Sequence, residues 1–375
     1  MSNSFLKFSS RRSLAAATAL ALVLPNFLLG SSASAASAVR LGIGSNLQFE
    51  DDTRMRADLA SISRAGIRYT REDIYWNYVQ PTSPDEWLWD RYDRVFTAAA
   101  EQGIQILPII GYGTPWATGS DDMKVMPSTD TGRAAYGRYA AEVARRYGPN
   151  GAFWAAHPDL RARPVKAVDL WNEPWYPGPA DPQQYIALIK AASRAVRALP
   201  ERVKIVVNAD QRVRGLARGG DANWSTSLFR AEPDLDDWVD VWSIHPYTRI
   251  ERAVGNAGWL DSVLQVRMLR DELMRRGLGG EIWVTELGYS SFSQPVELNA
   301  SETLARLNMV GAMRALLALG GTANPVTRIY AFTIARPDPT LTAESSVVNS
   351  YSLMRPDGSF TPALDAFCDS VDDLP

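Results

Sequence analysis

The sequence predicts a single-domain (β/α)8 TIM barrel preceded by a secretory leader, and three observations carry that prediction. Short apolar runs of strand length alternate with longer amphipathic stretches, eight of each, with room for one helix after every run. No linker or internal repeat divides the chain. A doubly wound open sheet would share the alternation but would carry a glycine-rich phosphate turn after its first strand, and Gly42-Ile43-Gly44 lacks the third glycine.

In chain order, Lys7, Arg11 and Arg12 precede the almost wholly apolar stretch from Leu14 to Leu29, and small residues from Ser31 to Ala38 follow. That is the pattern of a cleaved signal peptide over residues 1–38, which leaves 39–375 as the barrel and Ala36 or Val39 as the expected mature N-terminus. Ser10-Arg11-Arg12-Ser13-Leu14 also fits a twin-arginine export signal, so both export routes stay open. A secreted or periplasmic location is expected, with no membrane span once the leader is gone. Cleavage removes three positive charges and no negative one, so the formal net charge of −3 falls by a further three. That charge excludes nucleic acid as a partner. The lone Cys368 excludes an internal disulfide, so an exported chain would depend on its core alone. A monomer is expected.

The eight strand runs are Leu41 to Asn46, Ile67 to Asp73, Ile104 to Gly111, Val165 to Trp171, Val203 to Asn208, Val239 to His245, Glu281 to Glu286 and Arg328 to Ile334. Between the second and third, a helix from Tyr92 to Gln102 stops at Gly103, a residue suited to the left-handed turn after a helix. After the fourth, Tyr185, Leu188, Ile189, Ala192, Val196 and Leu199 form an apolar stripe at helical spacing, with Asp181-Pro182 as cap and first turn. The insertions Thr114 to Asp130 and Arg336 to Tyr351 follow strands and should rim the C-terminal face. Tyr147 to Pro164 precedes a strand and should lie at the opposite end.

Chemistry concentrates at two strand ends. Trp171-Asn172-Glu173-Pro174-Trp175 closes the fourth run, and Thr285-Glu286-Leu287-Gly288 closes the seventh, so each delivers one glutamate to the face where barrel enzymes act. Paired carboxylates suit glycosidic bond cleavage, in which one protonates the leaving oxygen and the other attacks or activates water. Gly-x-Ser-x-Gly, phosphate-loop and His-Glu-x-x-His patterns are absent and the chain has only two histidines. Serine-hydrolase and metal chemistry are thereby disfavoured, and no cofactor or metal is expected. His157, in a polar loop before Pro158, is not expected at the site. The twelve tryptophans are a large number for this length, and their flat rings suit sugar faces; Trp76, Trp116 and Trp175 are candidates for the cleft.

Arg68 to Pro81, Ile104 to Ala117, the Asn-Glu-Pro and Thr-Glu-Leu-Gly strands, and Ser243-Ile244-His245-Pro246-Tyr247 together resemble the clan A retaining glycoside hydrolases. The likeness is greatest to family 39, whose members include bacterial polysaccharide hydrolases and β-xylosidases, with family 5 the nearest competitor. Ser352 to Phe367 looks like the closing hairpin and last helix of such barrels. The resemblance implies Glu173 as acid/base, Glu286 as nucleophile, and a polysaccharide or oligosaccharide substrate. It further implies that Asn172 bonds the hydroxyl beside the reacting carbon, that His245 and Tyr247 reach toward sugar and nucleophile, and that Arg71 pairs with the nucleophile. Strand eight departs from the pattern: many clan members place a tryptophan under the reacting sugar, and Ile329-Tyr330-Ala331-Phe332-Thr333-Ile334 offers Phe332 instead. An exo-acting β-xylosidase-like or transglycosylating enzyme, and a carbohydrate-binding barrel without turnover, are the alternative readings.

Overall fold

The computed structural model describes residues 39–175, 181–211, 224–248, 258–291, 301–319, 324–334 and 350–370. The leader and most of the Arg336 to Tyr351 insertion lie outside them. Among the described residues, eight parallel strands close into one barrel in sequence order: β1 Arg40–Ser45, β2 Tyr69–Tyr75, β3 Gln105–Gly111, β4 Ala167–Leu170, β5 Lys204–Asn208, β6 Val241–Ile244, β7 Glu281–Leu287 and β8 Val326–Ala331. The helices outside it are α1 Asp52–Arg64, α2 Trp76–Val79, α3 Asp90–Glu101, α4 Pro115–Thr118, α5 Asp130–Tyr147, α6 Ala152–Ala156, α7 Pro182–Arg197, α8 Trp224–Ala231, α9 Gly258–Arg276, α10 Glu302–Leu317 and α11 Pro362–Asp369. No helix among the described residues is long and apolar enough to cross a membrane.

Local sequence explains these elements. In α7 the Asp181 carboxylate accepts from the Gln183 N–H, Pro182 occupies the first turn, and Tyr185, Leu188, Ile189, Ala192 and Val196 are buried. The lower barrel is filled by Tyr69, Leu107, Ala167, Val206, Val241, Trp283 and Tyr330, one from each of β2 to β8, so the interior is a packed plug beneath the mouth. Gly42 lies where a Cβ would come within 2.4 Å of the Tyr330 ring, which is why β1 has no side chain there.

Strand eight ends earlier than its apolar run suggests. Phe332, Thr333 and Ile334 follow the strand, and their N–H groups donate to Leu287 of β7, Tyr351 and Gly44 of β1 respectively, so the chain past β8 stays tied to both flanking strands.

Aromatic side chains from the helical layer hold the other strand ends. Tyr139 and Tyr136 of α5 donate to the carbonyls of Ile74 on β2 and Ile110 on β3, and Tyr185 of α7 donates to Leu170 on β4, each at 2.6 Å. The Trp224 indole N–H donates to the Asn208 carbonyl at the end of β5. These bonds tie the helical layer to the C-terminal ends of the strands.

Candidate active site

The β7 glutamate depends on a register irregularity. Val284 pairs with Ile329 and Leu287 with Ala331, so β7 spends one residue more than β8 over the same span. Trp283 faces the barrel interior, and simple alternation would turn Glu286 outward; the extra residue re-aims it into the mouth. Glu286 is 7% exposed there.

Glu173 arrives differently. β4 ends at Leu170, and Trp171 and Glu173 both take the left-handed backbone region, with φ of 63° and 45°. Non-glycine residues hold that conformation only when their surroundings enforce it. Here the Trp171 N–H donates to Ile110 O, and the Glu173 N–H donates to Asn208 Oδ1 at 2.9 Å. Asn208 is itself fixed by donating to Ser243 Oγ at 2.6 Å.

Around these two carboxylates the side chains are tightly coupled. The Arg71 guanidinium donates to Glu286 Oε1 at 2.7 Å, Asp169 Oδ2 at 2.9 Å and Asn172 Oδ1 at 2.9 Å. Burial works against its charge, but Asp169, Glu286 and Asp73 outweigh that and raise its pKa above the ordinary value. The Tyr247 hydroxyl donates to Glu286 Oε2 at 2.7 Å, so both oxygens of Glu286 are held. His245 is fully buried, with its backbone N–H on Asp210 and its Nδ1 at 3.0 Å from Glu173 Oε1 and 3.7 Å from Glu286 Oε1. Burial lowers its pKa, while the Glu286 charge and the Glu173 hydrogen bond more than reverse that, so the imidazole is more basic than usual.

One donor atom each from Glu173, His245 and Glu286 lie within 4.8 Å of one another. A divalent cation could be shared by such a trio, but Arg71 already brings a fixed positive charge to Glu286. What the trio and Arg71 can do is pair one carboxylate with a fixed positive charge and keep a second carboxyl in contact with a proton-sharing imidazole, at a separation a single reacting carbon and its leaving oxygen can span.

Of the residues singled out in the sequence, the structure brings Glu173, Glu286, Asn172, Arg71, His245 and Tyr247 into this one network. Phe332 stands beside it, its ring 6.2 Å from Tyr247 and 6.3 Å from Tyr351. Among the tryptophans, Trp76 needs correction. Trp76 is fully buried, stacked on Tyr139 at 5.5 Å with its indole N–H on Gln80, because the short α2 turns it into the helical layer. Trp175 keeps 7% exposure and packs on Trp224. Trp116 is half-buried, edge-on to Trp76, with its N–H on the Gln80 carbonyl.

Four participants had no assigned role in the sequence. Asp169 underlies Arg71; a single acidic residue inside Ala167-Val168-Asp169-Leu170 was the available signal. Asn208 supports Glu173 from the end of β5. Tyr112 meets Trp171, the residue before Asn172, edge-on at 5.6 Å. Lys124, from the insertion after β3, sets its ammonium 3.7 Å over the Tyr112 ring. Burial lowers the Lys124 pKa against the pull of Asp73, Glu173 and Glu286. Burial likewise pushes Asp73 up to about 6, against Arg71 and Lys124.

No family model and no curated relative matches the chain. Solved structures do. A family 39 glycoside hydrolase from the gut symbiont Bacteroides cellulosilyticus WH2 superposes with a TM-score of 0.61 at 20% identity over 89% of this chain. The chain spans 64% of that protein's length. A GH5_18 protein from Streptomyces cattleya in complex with GlcNAc gives 0.64 at 18% identity, covering 89% of this chain and 80% of that one. An exo-beta-1,4-mannosidase from Opitutaceae bacterium strain TAV5 gives 0.60 at 15%, covering 89% and 59%. At these identities the likeness establishes the barrel fold that the clan A resemblance implied.

Proposed function

We propose that the chain is an exported retaining β-glycosidase that hydrolyses O-glycosidic bonds of a polysaccharide by double displacement. The observation that carries this reading is the separation of the two carboxylates: one oxygen each of Glu173 and Glu286 lie within 4.8 Å of each other, which favours the spacing of about 5–5.5 Å between carboxyls in a retaining mechanism over the roughly 6.5–9.5 Å of an inverting one.

In the first step Glu286 attacks the anomeric carbon while the Glu173 proton passes to the departing glycosidic oxygen, so one C–O bond forms as the other breaks. In the second, Glu173 takes a proton from water, the water oxygen attacks the same carbon, and Glu286 leaves. Arg71 and Tyr247 hold both oxygens of Glu286 and aim it, and donate to those oxygens again as it departs. His245 suits the alternation of Glu173 between acid and base, because a proton can rest between the two groups. Asn172, oriented by Arg71, is placed to bond the hydroxyl beside the reacting carbon.

Export rests on the leader pattern. N-terminal sequencing of protein recovered outside the cytoplasm should return Ala36 or Val39, and Met1 would overturn it. The enzymatic reading is tested with a panel of aryl β-glycosides and β-linked glucans, xylans and mannans, following the anomer first released by NMR. β-Configured product is expected; α-configured product would remove the retaining mechanism.

A further inference from the structure

We propose that Phe49, Tyr75 and Tyr78 form a glycan-binding platform that extends the catalytic pocket along the β1–β3 side of the mouth and holds pyranose residues of a polymer beyond the one being cleaved. The identity of the ligand rests on the glycosidase reading above.

Phe49 is 55% exposed and Tyr78 38% exposed, and both lie in segments that follow the C-terminal ends of strands. Their rings touch each other at 6.2 Å and touch Tyr75 at 5.8 and 5.4 Å. Tyr75 in turn meets Tyr112 at 5.5 Å, and Tyr112 meets Trp171, the residue before Asn172 of the carboxylate network, edge-on at 5.6 Å. A continuous series of rings therefore leads from the reacting centre to solvent, and this continuity commits the platform to more of the same substrate. A pyranose with equatorial hydroxyls has an apolar C–H face, the surface an exposed aromatic ring accepts, while its hydroxyls remain in water.

The mounting argues for a built site. The turn Leu47–Phe49 is clamped from α3, where Arg91 donates to Gln48 O and Arg94 donates to both Gln48 O and Glu50 O. Gln48 N–H also donates to the Glu72 carboxylate. Tyr75 ends β2 and Tyr78 lies in the short helix α2 that follows, their rings 5.4 Å apart, and Trp76 between them is the buried anchor of that turn. The Arg91 guanidinium lies 5.0 Å from the centre of the Tyr78 ring and braces it. Exposed rings held this firmly lose little conformational freedom on binding.

The test compares parent, Phe49→Ala/Tyr78→Ala and Phe49→Trp/Tyr78→Trp. Affinity electrophoresis in gels containing β-glucan, xylan or mannan should show the parent retarded by at least one polymer, the alanine pair released, and the tryptophan pair retained. With the aryl β-monoglycoside the parent cleaves fastest, the alanine pair should match the parent, while its kcat/KM on the corresponding hexasaccharide falls about tenfold or more. That unchanged activity also shows that the variant is folded; should the pair fail to fold, Phe49→Ala alone carries the comparison. Retardation unchanged by the alanine substitutions, no retardation of the parent on any polymer, or equal loss on both substrates would overturn the platform. Ring-dependent retardation in a parent that cleaves nothing would uphold the platform and refute the glycosidase reading.

Discussion

The ends of β4 and β7 deliver the same side chain into the same space and treat it in opposite ways. Glu286 is held at both oxygens by a guanidinium and a phenol, and 9% of its side chain is exposed. Glu173 has 24% of its side chain exposed, is carried on left-handed backbone, and faces an imidazole. The aiming devices differ too: an extra residue in the ladder for β7, two left-handed residues propped by Asn208 for β4. The contrast teaches that the division between nucleophile and acid lies in the neighbours, since the glutamates are chemically identical.

The contrast is broken most severely at β7. Glu286→Gly should lower kcat by at least about 10^4-fold on every substrate, and azide should restore turnover of an activated aryl glycoside as the α-azide. Recovery of the β-azide would exchange the two roles. Glu173→Ala should cost about 10^2–10^4-fold on polysaccharide and far less on a glycoside with a good leaving group, because only the proton donor is missing. With azide it should give the β-azide, and an equal loss on both leaving groups would show that another residue is the acid. A smaller effect sharpens the comparison. Tyr247→Phe removes one of the two donors that distinguish Glu286, so kcat/KM should fall about tenfold or somewhat more with the fold intact. A parent-like rate would mean that Arg71 alone suffices.

The smallest effect concerns stability and uses the outward side of β2 as a control. Glu72 is fully buried with hydrogen bonds from Ser45 Oγ and Gln48 N–H, and burial, outweighing them, pushes it up to about 8. Its folded pKa thus lies above the unfolded value. The folded chain keeps a proton that the unfolded chain gives up, so stability is greatest below the ordinary carboxylate range and declines as pH rises toward about 8. Glu72→Gln should remove that decline, read as melting temperatures between pH 5 and 8, without changing kcat. An identical slope in the variant would assign the proton elsewhere.

Much of the site could be read in the sequence because apolar strands ending in Asn-Glu-Pro and Thr-Glu-Leu-Gly tie each glutamate to a definite place on the barrel. Arg71 could be chosen over Arg68 by its motif and its register. The β7 irregularity could not be read, since nothing in Ile282 to Leu287 announces an extra residue; its effect was implicit in the motif. Asn208 and Lys124 were hidden because their partners are distant in sequence. Trp76 misled for a geometric reason. In Tyr75-Trp76-Asn77-Tyr78 any ring could face the cleft, and the helical turn sends the largest inward while its two neighbours stay at the surface.

The phenols that reach from the helices to the strand ends make the outer layer part of the mouth's alignment. Ile110 O accepts from the Tyr136 hydroxyl of α5 and also from the N–H of Trp171, two residues before Glu173. A displacement of α5 is therefore transmitted through one carbonyl to the backbone that aims the acid. Substitutions that never approach the sugar can alter catalytic geometry by this route. Selection for altered turnover would find some of its answers on helix faces behind the barrel wall, where a survey confined to cleft-lining side chains would not look.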